Sequence, residues 1–178
     1  MSNYVIATER LGLRHWLPAD TEAFIAMNSD PVVMQYFPQP LQPRQTLAML
    51  QRIEDCFTTN HFGLYVAEEK RTQTFLGFTG FSIPDFNNFF TPCVEVGWRY
   101  RKEAWGKGFA TEAAKACIDY GFTTLQFNRI VSFTAKINLR SEAVMRRAGM
   151  AYVTDFEHPN IAKDHPLCTH VLYTISPA

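Results

Sequence analysis

Residues 105–113 read WGKGFATEA, two glycines flanking a lysine just before a run of small residues. Glycine tolerates backbone conformations that bring N–H groups close to a ligand, and the first N–H groups of a helix have no intrahelical acceptor. With the partial positive charge of a helix N-terminus, this is an arrangement that holds an anion such as a phosphate. Arg99, Arg101, Lys102 and Lys107 add positive charge around it. The spacing is neither that of a Walker A loop nor that of the dinucleotide-binding Gly-x-Gly-x-x-Gly. A glycine-rich strand-to-helix turn serving only geometry is the plainer alternative.

Other chemistry-bearing residues are sparser. The tail FEHPNIAKDHPLCTHVLYTI holds His158, His165, Cys168 and His170. Histidine and cysteine are good zinc ligands, but the spacing matches no standard site, so no metal is expected. His170 is a candidate for the edge of a substrate pocket. The four cysteines, Cys56, Cys93, Cys117 and Cys168, form no Cys-x-x-Cys, and Cys93 and Cys117 read as core thiols. Phe86, Phe89 and Phe90 make PDFNNFFTP apolar for a loop. They either cover a substrate, make a dimer contact, or fold back on the core.

The elements that must position these residues follow from periodicity. Alternation from Leu11 predicts a first strand. Asp20 reads as the N-cap of a helix with Ala23, Phe24 and Met27 on one face. Met34, Tyr36 and Phe37 belong to this early helical segment and form a candidate acceptor wall or ordinary core. Residues 38–43 (PQPLQP) are a proline-broken loop. Arg44 to Phe57 predicts an amphipathic helix with Leu47, Leu50, Ile53, Cys56 and Phe57 on its stripe. Strands are predicted at 61–69 and 74–83 around the turn EKRTQ, and another over Pro92–Tyr100 after a loop at 84–91. Ala110–Leu125 has a helical period, 129–135 is a buried strand, and a helix over Asn138–Ala148 stops at Gly149. AYVTDF and HVLYTI are closing strands. The order β, α, α, β, β, β, α, β, α, β, β predicts a mixed α/β sheet, antiparallel at first and with crossover helices later.

At 178 residues the chain is expected to be a single domain spanning 1–178. Its 17 Lys plus Arg equal its 17 Asp plus Glu, which argues against a nucleic-acid partner. No signal peptide and no apolar run of about 18 residues is visible, so no membrane partner is expected, and a cytoplasmic location is.

Taken together, these segments resemble the GNAT superfamily of acetyl-CoA-dependent N-acetyltransferases, in its RimJ/RimL-type branch. The family signature is Gln or Arg, two residues, Gly, one residue, then Gly or Ala. The stretch Trp105-Gly106-Lys107-Gly108-Phe109-Ala110 matches it at Gly108 and Ala110 and departs at Trp105. Tryptophan at that place is familiar from the branch, which TERLGLRHW, VEVGWRY, NLRSEAVMRRAGM and HVLYTI also resemble. The resemblance covers essentially the whole chain. It implies a central, mostly antiparallel twisted sheet with splayed middle strands and helices on both faces. It also implies that backbone N–H groups of Trp105, Gly106, Lys107, Gly108, Phe109 and Ala110 bind the coenzyme A pyrophosphate. Backbone groups of Val96, Gly97 and Trp98 would pair with the pantetheine arm.

The implied reaction is direct attack of an amine on the acetyl thioester in a ternary complex. At pH 7 an α-amino group of pKa about 8 is roughly one-tenth neutral, and a lysine amine of pKa about 10.4 under about one-thousandth. A general base therefore helps. Glu95, a polar residue inside the apolar strand Val94-Glu95-Val96, is the candidate, with burial raising its pKa. Its alternatives are an arginine pairing that holds the strand, or a solvated face. In the family's Asn-x-x-Ser, resembled by Asn138-Leu139-Arg140-Ser141, the Asn bonds the pantetheine and the Ser lies near the sulfur as a candidate proton donor. Helix capping by Asn138 or Ser141 is the ordinary alternative, and both can hold. The expected acceptor is a protein N-terminal α-amine or a small-molecule amine, with the chain a monomer or homodimer. A non-catalytic coenzyme A sensor on the same fold is the rival reading. An ATP-binding protein lacks a recognisable magnesium constellation.

Overall fold

Two antiparallel ribbons and two crossover helices account for the chain order. The computed structural model describes residues 4–177. β1 (Ile6–Ala7) and β2 (Leu11–Arg14) form a short hairpin. α1 (Thr21–Ser29) and α2 (Pro43–Asn60) follow. β3 (Leu64–Glu69), β4 (Thr74–Ser82) and β5 (Glu95–Tyr100) then run antiparallel in succession. α3 (Phe109–Thr123) crosses to β6 (Ile130–Ala135), and α4 (Leu139–Arg147) crosses to β7 (Ala151–Glu157) and β8 (Thr169–Ile175). The eight strands form one sheet in the order β1-β2-β3-β4-β5-β6-β8-β7, parallel only between β5 and β6.

Helices cover both faces. Successive side chains of a strand point to opposite faces. Phe81 and Val96 thus pack with Ala113, Cys117 and Met145 under α3 and α4, while Val66 and Phe78 pack with Phe24, Met27 and Ile53 under α1 and α2. A third cluster joins Phe90, Val131, Phe156 and Leu172.

Several boundaries differ from expectation. β1 was not anticipated, because two residues carry no readable period. α2 begins at Pro43, whose fixed φ suits the first helical position, and ends at His61 in the left-handed region (φ 62), so β3 starts at Leu64 rather than 61. On α2 the apolar stripe is shifted: Thr46 is buried and Leu47 exposed. β5 starts at Glu95 rather than Pro92, after a segment containing a cis Thr91–Pro92 bond. Met34, Tyr36 and Phe37 lie on turns beyond α1, not in a helix.

Asp20 stands at the N-cap position of α1, as expected, but its side chain makes no capping bond to that helix. A 3-10 turn over Pro18–Asp20 precedes α1, and the Asp20 carboxylate accepts the Leu17 N–H at 2.8 Å. It also receives Arg14 Nη1 and Nη2 at 2.8 and 2.9 Å. Arg14 Nε donates to Glu68 Oε2 at 2.8 Å, and Tyr4 Oη donates to Glu68 Oε1 at 2.7 Å. All three charged side chains are buried. The network ties β2 and β3 to the start of α1.

Candidate active site

The glycine loop is built as its composition demands, with one addition: a 3-10 turn (Lys102–Ala104) separates it from β5. Gly106 and Gly108 have φ of 74° and 81°, a region that costs other L-residues about 1–2 kcal/mol. The first helical bond of α3 is Glu112 N–H to Gly108 O at 3.0 Å. The N–H groups of Phe109, Ala110 and Thr111 therefore project from the helix end without intrahelical acceptors. Arg10 braces this turn. Its Nη1 donates to Lys107 O at 2.8 Å, its Nε to Glu112 Oε2 at 2.7 Å, and its guanidinium lies 4.6 Å over the Phe109 ring. Thr8 Oγ1 donates to Glu112 Oε1 at 2.5 Å.

Trp105 has a bracing place in this turn. Its backbone N–H is already donated to Lys102 O at 3.1 Å, so it is not free for an anion. Its indole N–H caps the end of β5 by donating to Tyr100 O at 2.8 Å. Arg140, from the start of α4, sits 4.9 Å over its ring.

β5 and β6 share a single bridge, Glu95 to Val131, and part beyond it. Val131 N–H donates to Val94 O at 2.9 Å and Arg101 N–H to Leu76 O at 3.0 Å. Backbone groups alternate sides along a strand. Val96 and Trp98 therefore turn theirs toward β6, at the mouth of the gap, whereas Gly97 is spent on β4. Of the three residues expected to offer backbone groups here, Gly97 instead contributes its missing side chain. A Cβ there would lie 3.7 Å from Glu95 Oε1, so its absence keeps the floor beside that carboxylate open.

Glu95 is half-buried at the head of β5, where Ser82 Oγ donates to its Oε2 at 3.1 Å. Desolvation outweighs that bond and pushes its pKa up to about 7. Neither alternative for Glu95 is realised: among the described residues it has no arginine partner, and it lies in a cavity rather than on a solvated face. Across the gap, Asn138 does cap α4, its Oδ1 accepting the Ser141 N–H at 3.3 Å while its Nδ2 donates to Thr134 Oγ1 at 3.0 Å. One amide hydrogen and one lone pair remain for another partner.

One cavity of about 1440 Å³ joins these parts. It is lined by Gly106, Gly108, Phe109 and Ala110 at one end, by Trp98, Asn138 and Ser141 at the gap, and by Glu95 beyond it. Tyr36, Phe37, Phe78, Arg99, Phe133, His158 and His170 form the far wall. His170 is thus at the pocket, and burial lowers its pKa to about 4, so it is neutral at pH 7. Phe86 and Phe90 fold back onto Phe133 and Phe156, while Phe89 stays exposed. Arg10 and Ser82 are not singled out by the sequence, which presents Arg99 as a charge beside the anion loop and His158 only as a member of the histidine-bearing tail. Arg10 and Glu112 are over a hundred residues apart, and no local signal pairs them. Among the described residues no acidic, histidine and cysteine cluster can hold a metal, and no helix is long and apolar enough to cross a membrane.

A family model described as an acetyltransferase (GNAT) domain matches residues 10–151. The uncharacterized protein YkkB of Bacillus subtilis is 34% identical over 151 residues, covering 83% of this chain and 85% of that one. The uncharacterized N-acetyltransferase p20 of Bacillus licheniformis is 36% identical over 128 residues, covering 69% and 68%. Among solved structures, an acetyltransferase from Agrobacterium tumefaciens superposes with a TM-score of 0.79 at 25% identity, covering 99% and 96%. The spermidine N-acetyltransferase of Vibrio cholerae, solved with CoA and spermine, gives 0.75 at 19% over 95% and 96%. RimL, a ribosomal α-N-protein acetyltransferase solved with coenzyme A, gives 0.77 at 14% over 95% of each chain.

Proposed function

The chain belongs to the GNAT acetyltransferase family, and from that premise we propose that it transfers the acetyl group of acetyl-CoA to a primary amine in the cavity described above. The observation that carries this reading is continuity. An anion cradle, an open strand edge and a carboxylate of near-neutral pKa line one cavity.

The residues fit the cosubstrate. The N–H groups at the head of α3 suit a pyrophosphate. The outward backbone groups of Trp98 suit an amide-bearing arm that adds to a strand edge, whereas the buried Val96 sits beside the bridge that closes the gap. Asn138 offers its remaining amide hydrogen to the same arm. Bound there, acetyl-CoA supplies a thioester carbonyl carbon open to attack. Glu95 accepts the amine proton, directly or through a water, as the new N–C bond forms. Ser141, which lines the same cavity, hands a proton to the departing sulfur as the C–S bond breaks. A free thiol has a pKa of about 8.5, so that donor helps without being required. Cys93 and Cys117 take no covalent part: burial pushes Cys93 up to about 11 and raises Cys117 as well, which keeps both as protonated thiols.

The acceptor is a primary amine on a small molecule or a protein N-terminus, the two kinds named for the spermidine and ribosomal-protein enzymes of this fold. Thiol release from acetyl-CoA, followed with a thiol-reactive dye against amines and N-terminal peptides, tests the reaction. Amine-dependent release with an acetylated product by mass supports it. Tight coenzyme A binding without release on any amine contradicts it and returns the chain to a binding module.

The cradle carries its own prediction. Gly108→Ala forces a side chain onto φ 81° and brings a methyl group to 3.4 Å from Arg10 Nη2. Coenzyme A affinity is expected to fall about tenfold, the equivalent of about 1–2 kcal/mol of strain. Titration calorimetry checks it, and an unchanged affinity would remove the loop from the site.

A further inference from the structure

Arg99 is the one cavity residue whose charge the proposed chemistry leaves unused while its setting calls for a partner. It stands on β5 on the same face as Glu95 and Gly97, and it lines the far wall. Its Nη1 donates to Asn28 Oδ1 at 2.6 Å. Phe37 and Phe78 flank it, 4.2 and 5.4 Å from their ring centroids. Stacking uses the faces of a guanidinium and leaves its in-plane N–H groups to hydrogen-bond. Nε is buried with no partner, as is Asn28 Nδ2 beside it. Among the described residues no carboxylate pairs with Arg99. The acids lining the cavity are Glu95 and Glu112, and Arg10 already holds Glu112. Burial lowers the Arg99 pKa only to about 10, so the group stays charged at pH 7.

A half-buried guanidinium whose Nε is shut off from solvent, and which is held only by one amide, two rings and a distant Met49 sulfur, is costly unless an anion joins it. The Nε–Nη2 edge is a side-on fork matched to a carboxylate. Four residues along a strand separate Glu95 from Arg99 by about 13 Å between Cα atoms. An amine at Glu95 and an acid at Arg99 thus belong to one molecule only if several bonds lie between them. Resting on the acetyl-transfer reading above, we infer that Arg99 is a specificity residue and that the acceptor is a primary amine carrying a carboxylate remote from its nitrogen, such as an ω-amino acid or a short acidic peptide. Polyamines, which carry no acid, are poor acceptors on this account.

Matched ligands test it. ε-Aminocaproate, its neutral amide, its phosphonate counterpart and free glycine are compared as acceptors, and as ligands of the coenzyme A-loaded protein by calorimetry. The wild-type protein is expected to favour ε-aminocaproate over its amide by at least about tenfold in kcat/KM and in affinity, and over glycine as well. Arg99→Gln is expected to bring the acid-to-amide ratio to about one while leaving coenzyme A affinity unchanged. Equal use of acid and amide by the wild-type protein, or a preference that survives Arg99→Gln, overturns the inference. A clear preference for the phosphonate overturns the carboxylate assignment. If nothing is acetylated but the acid still binds better than the amide through Arg99, the inference stands and the transferase reading falls. If neither turnover nor binding distinguishes them, the inference falls by itself.

Discussion

Glu95→Gln is expected to lower kcat/KM for acetyl transfer by about a hundredfold or more, the usual scale of a positioned general base. An amine reaches the site mostly protonated, and a base whose own pKa is about 7 is ionised often enough to accept the proton and strong enough to hold it. In the wild-type enzyme kcat/KM is therefore expected to rise with pH through about 7 as the Glu95 proton leaves, and the variant to lack this limb. The glutamine keeps the shape and can still accept from Ser82 Oγ, so a loss confined to catalysis separates a base from a strut. Stability gives a second readout with a definite sign. The unfolded chain releases the proton near 4.5, the folded chain near 7. Between these values the unfolded state binds fewer protons, so rising pH favours unfolding. Above 7 the penalty is constant, and below 4.5 it is absent. Glu95→Gln is thus expected to match the wild type below pH 4.5 and to exceed it by about 1–3 kcal/mol above pH 7. A variant that is both fully active and no more stable at high pH would take Glu95 out of the account.

Arg14→Met costs about 3–5 kcal/mol, because it leaves the buried carboxylates of Asp20 and Glu68 without their cation. In a chain of this size that is a fall of about 10 °C in Tm. The loss reaches the site by a definite route. Asp20 anchors the start of α1, and near the other end of that helix Asn28 holds Arg99. The surviving enzyme is expected to show a raised KM for the amine with coenzyme A affinity unchanged, since the cradle hangs on Arg10 and Glu112 instead. Replacing the whole network with Arg14→Met, Asp20→Asn and Glu68→Gln removes the stranded charges and is expected to recover at least half of the loss. Urea unfolding checks both variants. A loss below about 1 kcal/mol for Arg14→Met would mean that solvent reaches the carboxylates.

The elements with long, clean periods were legible in the sequence. The α3 pattern and the alternation of β3, β4 and β8 fix their type and near position, and the glycine pair before α3 marks a left-handed turn. Boundaries set by contacts distant in sequence were not. Asp20 has the residue type of a cap, yet Arg14 and the preceding prolyl turn recruit it elsewhere. Leu47 fits the α2 stripe by spacing, but the helix rolls so that Thr46 faces in. In the site, Glu95, Gly97, Trp98, Trp105, Gly106, Gly108, Phe109, Ala110, Asn138 and Ser141 line one cavity, whereas Val96 and Lys107 do not. Which atoms they present is a matter of geometry. Strand alternation decides that Gly97 offers space rather than hydrogen bonds, and a 3-10 turn consumes the Trp105 N–H. Arg99 looked like one more charge beside the anion loop. Its place on the opposite face of the sheet, on the far wall of the cavity, follows only from the register Phe78 to Arg99.

Coenzyme A is expected to seat its anionic end at the head of α3 and to pass its arm between β5 and β6. Amide hydrogen exchange with and without saturating coenzyme A tests this most directly. Slowed exchange at Phe109, Ala110 and Thr111 together with Trp98 is the predicted result. Saturated binding that leaves both the helix head and Trp98 unprotected would contradict it.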